Sequence, residues 1–146
     1  MDAQTVIRET LSAIEAGDMA KAGSNMTDDF KFSGPVPQPI DKAEFLAMQG
    51  GLVAAMPNWK FNAKNYKVQG DKVTTAVHIT ATHSATLESL MPGMPAVPAS
   101  GKKVSLPEEP VTFTMRGDKL ASMDVTQVPG GGVPGIMGQI GVQLPH

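Results

Sequence analysis

The 146-residue sequence contains no cysteine, which excludes disulfide bonds, thiolate nucleophiles and cysteine-ligated metals. That absence suits a reducing compartment, and we expect a cytoplasmic protein. Charged residues are also few, with 12 basic and 14 acidic side chains that give a net charge of −2. This balance gives no electrostatic reason to expect nucleic acid as a partner. The opening stretch "MDAQTVIRETLSAIEAGD" has acidic side chains and no uninterrupted apolar run. We therefore expect neither a signal peptide nor a membrane span.

Aromatic residues are scarce as well: five phenylalanines, one tyrosine and a single tryptophan, Trp59. Ten methionines stand beside them, and methionine fills irregular spaces both in cores and around apolar ligands. The hydrophobic content of 41% is that of an ordinary globular chain. Length and composition together predict one domain over residues 1–146 with a single core.

Helical patterns come early in the chain. Apolar residues recur every three or four positions between Val6 and Ile14, which predicts an amphipathic first helix. Asp18 can cap a short second helix, and a short strand containing Phe30 and Phe32 follows. The stretch "DKAE" has the spacing of a capping box and predicts the start of a third helix, which ends before "PNW".

Strand patterns come late, separated by turns. "QGDKV" and "RGDKL" predict two tight hairpins, and we interpret the Arg-Gly-Asp tripeptide in the second as a turn rather than an adhesion signal. Helices followed by strands predict an α+β fold with helices on one face of an antiparallel sheet. The glycine- and proline-rich stretch from about 129 to 146 lacks a phosphate-loop pattern and is expected to form a flap.

Two histidines lie in the strand-like stretch Val73–Leu87. Since side chains alternate along a strand, His83 falls on the apolar face and His78 on the polar face. In the last strand, Gln127 ends a mostly apolar row. We predict that His83 and Gln127 face one cavity under the first and third helices. The competing interpretations are a core histidine that is bonded to a neighbour, and a glutamine that meets solvent at a strand end.

Other polar clusters offer weaker candidates. Glu108 and Glu109 lie together in "LPEEP", and we expect both carboxylates to be solvated and not to form a catalytic pair. We expect the carboxylates of Asp28 and Asp29 to be solvated as well, although either could approach the mouth of a pocket. The three histidines do not have metal-ligand spacing, so we expect no bound metal.

Four stretches in the second half carry a resemblance to a known family. Thr82-His83 is similar to the Thr-His of a "GTHxG" strand, with Ala81 in place of the glycine. "GMPAVPASGKKV" (93–104) resembles "GxPPTGKxV", "MRGDKLASMDVTQ" resembles "xxDGKIxExWxxxD", and "IMGQIG" (136–141) resembles "LLxQLG". In this order they resemble the SnoaL-like polyketide cyclases of the nuclear transport factor 2-like superfamily.

The resemblance implies a conical α+β barrel in which a curved antiparallel sheet wraps around N-terminal helices and leaves an apolar cavity. It also implies a small hydrophobic ligand, no metal or cofactor, and a homodimer formed through the outer face of the sheet. The residues that we expect to line the ligand site are Phe30, Phe32, Met48, Leu52, Met56, Trp59, Ile79, Met115 and Met123.

The sequence departs from the family pattern at the position of the cyclase aspartate, which is Gln127. A glutamine amide does not titrate and cannot act as the base of the family's aldol chemistry. The sequence therefore favours binding of a small apolar or amphipathic molecule. The alternative is a cofactor-independent cyclase or isomerase in which His83 transfers the proton and Gln127, Thr82 or Asn62 binds the enolate oxygen. A dimerising protein without a ligand has no sequence feature in its support.

Overall fold

The computed structural model describes residues 3–34, 39–87 and 96–141, and only the backbone of residues 132–134. Helices dominate the first third of the chain and strands the remainder, which confirms the α+β class. In chain order the elements are α1 (Ala3–Glu15), α2 (Met19–Ser24), β1 (Met26–Ser33), β2 (Ile40–Asp41), α3 (Lys42–Ala55), β3 (Lys64–Gln69), β4 (Lys72–Val77), β5 (Thr80–Thr82), β6 (Lys103–Ser105), β7 (Glu109–Arg116), β8 (Lys119–Val125) and α4 (Gly132–Gln139).

The helices begin where their capping residues predict. The Asp18 carboxylate accepts the backbone N–H of Lys21 at 3.1 Å at the start of α2. The Asp41 carboxylate accepts the backbone N–H of Glu44 at 2.9 Å at the start of α3. Each bond satisfies one of the amides that the first turn of a helix leaves without a partner. None of the helices in the described ranges is long and apolar enough to cross a membrane.

The main sheet has six strands in the order β2-β1-β8-β7-β4-β3. All pairs are antiparallel except β1 and β8, which run parallel with Phe32 opposite Met123. The sheet is therefore mixed rather than purely antiparallel. Register shifts interrupt three of its pairings, and such bulges increase the local bend and twist of a sheet.

Both predicted hairpins are present. Gln69 pairs with Lys72 across one turn, and Arg116 pairs with Lys119 across the other. The first turn residues, Gly70 and Gly117, have φ values of 62° and 63°, which glycine adopts without a steric penalty. The Arg-Gly-Asp tripeptide is thus a hairpin turn, as the sequence predicts.

The stretch 73–87 is not one continuous strand. β4 ends at Val77, and the chain then crosses to a separate two-stranded sheet in which β5 pairs with β6. The backbone N–H of His78 donates to the carbonyl of Phe61 at this crossing, at 2.8 Å. The alternation survives the break, because His83 is buried and His78 is exposed, as predicted.

Within the predicted flap of about 129–146, residues Gly132–Gln139 form a helix. α4 begins after Gly131 and buries Ile136 and Met137 at its middle, with Ile140 just beyond its end. These apolar contacts with the rest of the core outweigh the low helix propensity of its glycines. Residues 93–95 of one family-like motif, residues 142–146 of the predicted flap, and residues 35–38 of the proline-rich loop lie outside the described residues.

Candidate functional site

An internal cavity of about 40 Å³ lies between α3, the main sheet and α4. Helix α3, four strands of the sheet and α4 all contribute to its wall, which is mostly apolar. The described residues that line it are Phe32, Met48, Gln49, Leu52, Trp59, Phe61, Val77, Ile79, Leu106, Glu109, Met123, Val125 and Ile136.

Glu109 brings a carboxyl group into this apolar wall. It is the first residue of β7, and only 2% of it is exposed. Because side chains alternate along a strand, Glu109 shares the buried face of β7 with Val111, Phe113 and Met115. A carboxyl group can lose and regain a proton, which the apolar side chains around it cannot do. The site therefore contains a group that can take up a proton.

The expectation that both carboxylates of "LPEEP" are solvated holds for Glu108 but is wrong for Glu109. The Glu108 Oε2 atom lies 2.9 Å from Nζ of Lys64, and both side chains are exposed. Interpreting the stretch as a proline-bounded loop concealed the start of β7. The signal in the sequence was the alternation of buried positions 109, 111, 113 and 115, which extends the apolar row back to Glu109.

Gln49 and Trp59 are two further residues of the lining that carry polar groups. Gln49 lies on the buried face of α3, one turn after Phe45, and is 5% exposed. Its Oε1 atom is buried without a hydrogen-bond partner. Trp59 is 1% exposed, and its Nε1–H group is also buried without a partner. Buried polar groups in native proteins are nearly always hydrogen-bonded, so both side chains are exceptions that need an explanation.

Helix α4 covers one side of the cavity, with Ile136 in the wall. The glycine at its N-cap, Gly131, lies so close to Glu109 that a Cβ atom there would be 3.1 Å from the Glu109 Cδ atom. At the other end of the helix, Gln139 bonds to the backbone of Ser105, the last residue of β6. Helix α4 is thus bonded to β6 at its C-terminal end and lies close to Glu109 at its N-terminal end.

His83 is fully buried, but it is not among the residues that line this cavity. Its Nδ1 atom lies 2.9 Å from the Ser100 hydroxyl and accepts the Ser100 backbone N–H at 3.3 Å. A neutral imidazole in this arrangement carries its proton on Nε2, and Nε2 is buried without a partner. These contacts fit the interpretation of a core histidine that is bonded to a neighbouring side chain.

Gln127 lies outside the cavity as well, so the prediction that it shares one cavity with His83 is wrong. β8 ends at Val125, and beyond that point Gln127 is exposed and donates its amide to the carbonyl of Gly34. The side chain meets solvent because the strand ends before reaching it. Thr82 and Asn62, the other residues considered for an enolate oxygen, are also absent from the lining.

Six of the nine predicted ligand-binding residues line the cavity: Phe32, Met48, Leu52, Trp59, Ile79 and Met123. Phe30, Met56 and Met115 are buried in the surrounding core and do not reach the cavity wall. The two polar candidates taken from the sheet, His83 and Gln127, are absent from this lining.

Asp29 and Tyr66, which do not line the cavity, have shifted pKa values. Hydrogen bonds from the Thr27 hydroxyl and then from the Arg116 guanidinium lower the pKa of Asp29, and one Arg116 nitrogen lies 2.9 Å from that carboxylate. Burial raises the pKa of Tyr66, which packs under the Arg8 guanidinium with 5.2 Å between the two groups. Neither Asp28 nor Asp29 lines the pocket.

Within the described ranges, no three histidine or carboxylate side chains come together in a group that could hold a metal ion. Among the described residues, the polar or amphipathic side chains of the lining are those of Glu109, Gln49 and Trp59, in an otherwise apolar wall. Such a set can form hydrogen bonds to an oxygen of an apolar molecule and can move a proton.

The family model described as "SnoaL-like domain" matches residues 7–123 of the sequence. This span includes α1 to α3 and the sheet up to Met123 in β8. No curated protein matches the sequence.

Solved structures share the fold at low sequence identity. A proposed SnoaL-like polyketide cyclase from Jannaschia sp. CCS1 aligns with a TM-score of 0.73 and 16% identity, over 97% of this chain and 92% of its own. TsrD from Streptomyces laurentii aligns with a TM-score of 0.71 and 16% identity, over 98% and 99% of the two chains. A cystatin-fold protein from Novosphingobium aromaticivorans aligns with a TM-score of 0.63 and 18% identity, over 87% of this chain and 99% of its own. At these identities the likeness shows the fold.

Proposed function

Because the chain belongs to the family of SnoaL-like domains, we propose that it binds a small, mainly apolar molecule in the cavity between α3, the sheet and α4. The observation that carries the proposal is the composition of the wall, in which Glu109, Gln49 and Trp59 stand among apolar side chains. Ligand sites are typically of this kind, with a few polar groups that orient a ligand held by apolar contacts.

The volume of the cavity implies that binding includes a rearrangement of its wall. About 40 Å³ accommodates one or two water molecules, whereas sites for drug-sized ligands are several times larger. Met48 and Met123 line the cavity, and the flexible methionine side chain can change rotamer without movement of the backbone. In this proposal, rotamer changes of these two methionines enlarge the cavity.

A cavity-filling variant tests the binding proposal. Val125 lines the cavity, and Val125→Phe should occupy the space, whereas Val68→Phe adds the same ring to a residue of β3 that is 54% exposed. Purified wild type and Val68→Phe should release the same small molecule on denaturation and extraction, detected by mass spectrometry, and Val125→Phe should release little of it. Equal release from Val125→Phe, or no retained molecule in any of the three, would contradict binding in this cavity.

A second candidate function is cofactor-independent proton transfer, and the burial of Glu109 in the cavity wall favours it. A carboxylate there can remove a proton from the carbon next to a ligand carbonyl, and the electrons of the C–H bond then form an enolate. Hydrogen-bond donors in the wall stabilise the charge on the enolate oxygen, and the carboxylic acid returns the proton to carbon or to a new alkoxide. In this proposal Glu109 takes the role for which the sequence suggested His83.

Deuterium exchange tests this step without knowledge of the substrate. Cyclohexanone in D₂O should exchange its α-protons faster with the wild type than with Glu109→Gln, by about 10²-fold if Glu109 is the base, as followed by proton NMR. Glu108→Gln is the matched control, because that neighbouring carboxylate is exposed, and it should leave the rate unchanged. A large loss with His83→Ala but none with Glu109→Gln would return the role to the histidine.

We also propose that the protein forms a homodimer through the outer face of the sheet. Short uncharged side chains pair there, Thr74 with Thr112 and Thr114 with Ser122. Light scattering after gel filtration should give a dimer mass for the wild type and a monomer mass for Thr112→Arg. Ser12→Arg, an exposed position on α1, is the control and should remain dimeric. A monomeric wild type would contradict this proposal.

A further inference from the structure

A groove on the surface lies between α1 and residues 60–66. It holds about 400 Å³, a volume within the range of small-molecule sites. Among the described residues, its lining shares only Phe61 with the internal cavity. The lining consists of apolar or aromatic side chains, Leu11, Phe61, Ala63 and Tyr66, and of polar ones, Arg8, Ser12, Glu15, Lys60 and Asn62. The groove is therefore an amphipathic space that the proposed function does not use.

The Arg8 guanidinium has no carboxylate partner among the described residues. The chain has two arginines, and the other, Arg116, lies 2.9 Å from a carboxylate oxygen of Asp29. None of the ion pairs in the described part of the chain includes Arg8. The guanidinium is always charged and matches the geometry of an oxyanion, so Arg8 can pair with an anion from solution.

An aromatic ring holds Arg8 in position. The central carbon of its guanidinium lies 5.2 Å from the centroid of the half-buried Tyr66 ring, within the range of a cation–π contact. A guanidinium stacks with its face and donates hydrogen bonds in its plane, where it can bind both oxygens of a carboxylate. The contact with Tyr66 therefore orients the group and leaves in-plane donors for a ligand.

The charges of the groove favour an anion of charge −1. Lys60 Nζ lies 3.8 Å from Glu15 Oε1, and Glu15 Oε2 accepts the backbone N–H of Phe61 at 2.9 Å. The Glu15 charge therefore offsets that of Lys60, and the positive charge of Arg8 remains. A monoanion balances this charge, whereas a dianion brings excess negative charge into the groove that contains the Glu15 carboxylate.

We propose that this groove binds a small monocarboxylate with an apolar body, held at its charged end by Arg8 and along its body by Leu11 and Tyr66. A neutral molecule of the same shape loses the ion pair, and a small anion such as acetate lacks the apolar surface. The groove site is distinct from the internal cavity and does not depend on the function proposed above.

Calorimetric titration with four probes tests the site. 2-Naphthoate has both features, 2-naphthamide removes the charge at nearly the same shape, 2-naphthyl phosphate carries a second charge, and acetate lacks the rings. Arg8→Gln removes the guanidinium, and Arg116→Gln is the matched control at the other arginine, which does not line the groove. Val125→Phe fills the internal cavity and shows whether a probe binds there instead. Thermal unfolding checks that each variant is folded.

At low salt, 2-naphthoate should bind about three- to tenfold more tightly than 2-naphthamide and 2-naphthyl phosphate, and acetate should not bind measurably. Arg8→Gln should weaken 2-naphthoate by the same factor and leave 2-naphthamide unchanged. Arg116→Gln and Val125→Phe should leave both affinities unchanged. Glu15→Gln should strengthen the phosphate more than the carboxylate. Added NaCl should weaken 2-naphthoate and not 2-naphthamide, because salt screens an exposed charge pair.

The possible failures can be told apart. Equal affinities for 2-naphthoate and 2-naphthamide, or 2-naphthoate binding that Arg8→Gln leaves intact, would show that Arg8 holds no anion. Tighter binding of the phosphate than of the carboxylate would overturn the preference for a monoanion. Loss of 2-naphthoate binding in Val125→Phe would place the probe in the internal cavity, which supports the cavity function and overturns the groove site. If none of the probes binds, the groove site falls, and the extraction experiment still decides on the cavity.

Discussion

The side-chain amide of Gln139 pairs with both backbone groups of Ser105. Gln139 Oε1 accepts the Ser105 N–H at 2.8 Å, and Gln139 Nε2 donates to the Ser105 carbonyl at 2.9 Å. Ser105 is the last residue of β6. The Gln139 amide bonds to its N–H and carbonyl as the backbone of a neighbouring strand would, and it links β6 to α4. This pair fixes the position of α4 over the cavity.

We expect Gln139→Met to loosen α4 without unfolding the domain. The variant loses two hydrogen bonds at the protein surface, which should lower the free energy of unfolding by about 1–2 kcal/mol. Urea denaturation measures that loss, and hydrogen exchange should show faster exchange in α4 than in β7. Gln69→Met is the matched control at an exposed position and should leave both measurements unchanged. Unaltered exchange in α4 would show that other contacts hold the helix.

Two glycines of α4 should respond in opposite ways to the same substitution. A Cβ atom on Gly135 would overlap the carbonyl group of Gly130 and lie 3.2 Å from Leu106 Cδ2, whereas one on Gly138 meets nothing within 4 Å. Gly135→Ala should therefore destabilise the protein by about 1–3 kcal/mol. Gly138→Ala should stabilise it by up to about 1 kcal/mol through higher helix propensity. Thermal unfolding of the two variants measures both effects, and equal melting temperatures would contradict the close approach at Gly135.

The N-cap of α3 should contribute measurably to stability, because this helix carries Met48, Gln49 and Leu52 into the cavity wall. Asp41→Ala removes the acceptor of the Glu44 N–H and should cost about 0.5–2 kcal/mol. Asp28→Ala, at an exposed position of β1, should change the free energy of unfolding little. A loss for Asp28→Ala as large as that for Asp41→Ala would show that charge, not capping, is responsible.

The stability contributed by Asp29 should depend on pH. Because Thr27 and Arg116 lower the pKa of Asp29 in the folded protein, the folded state binds its proton less readily than the unfolded state does. The contribution is complete above the unfolded pKa of about 3.9 and is lost as the pH falls through the lower folded value. Asp29→Asn should therefore melt at a lower temperature than the wild type at pH 7. The difference in melting temperature between the two proteins should shrink below pH 4, in the range where the wild type still folds. A difference that does not change with pH would contradict this prediction.

Local patterns in the sequence predicted the local structure well. The spacing of "DKAE" predicted the N-cap of α3, and the two Gly-Asp pairs predicted the hairpins. The alternation along 73–83 predicted that His83 is buried and His78 is exposed. Each of these features depends on residues that are neighbours in the chain. Their physical causes, such as a capped amide or a turn that needs positive φ, are visible in a short window of sequence.

The composition of the cavity could not be obtained in the same way. Which buried residues share a space depends on where β8 ends, where β4 gives way to β5, and how α4 lies across the sheet. Gln127 was expected inside because its row was extended two residues past Val125, the true end of β8. Glu109 was expected outside because two prolines flank "EE", although β7 begins at Glu109 and continues through Pro110.

The parallel pairing of β1 with β8 joins parts of the chain that are far apart in sequence. Ser33 and Asp124, which bond across this pair, are separated by 91 positions, and the neighbouring pair of Phe32 and Met123 lines the cavity. Contacts over such separations require closure of long loops and slow the folding of a domain. A molecule that occupies the cavity binds the folded chain and not the unfolded one, so it stabilises the pairing of these two distant segments.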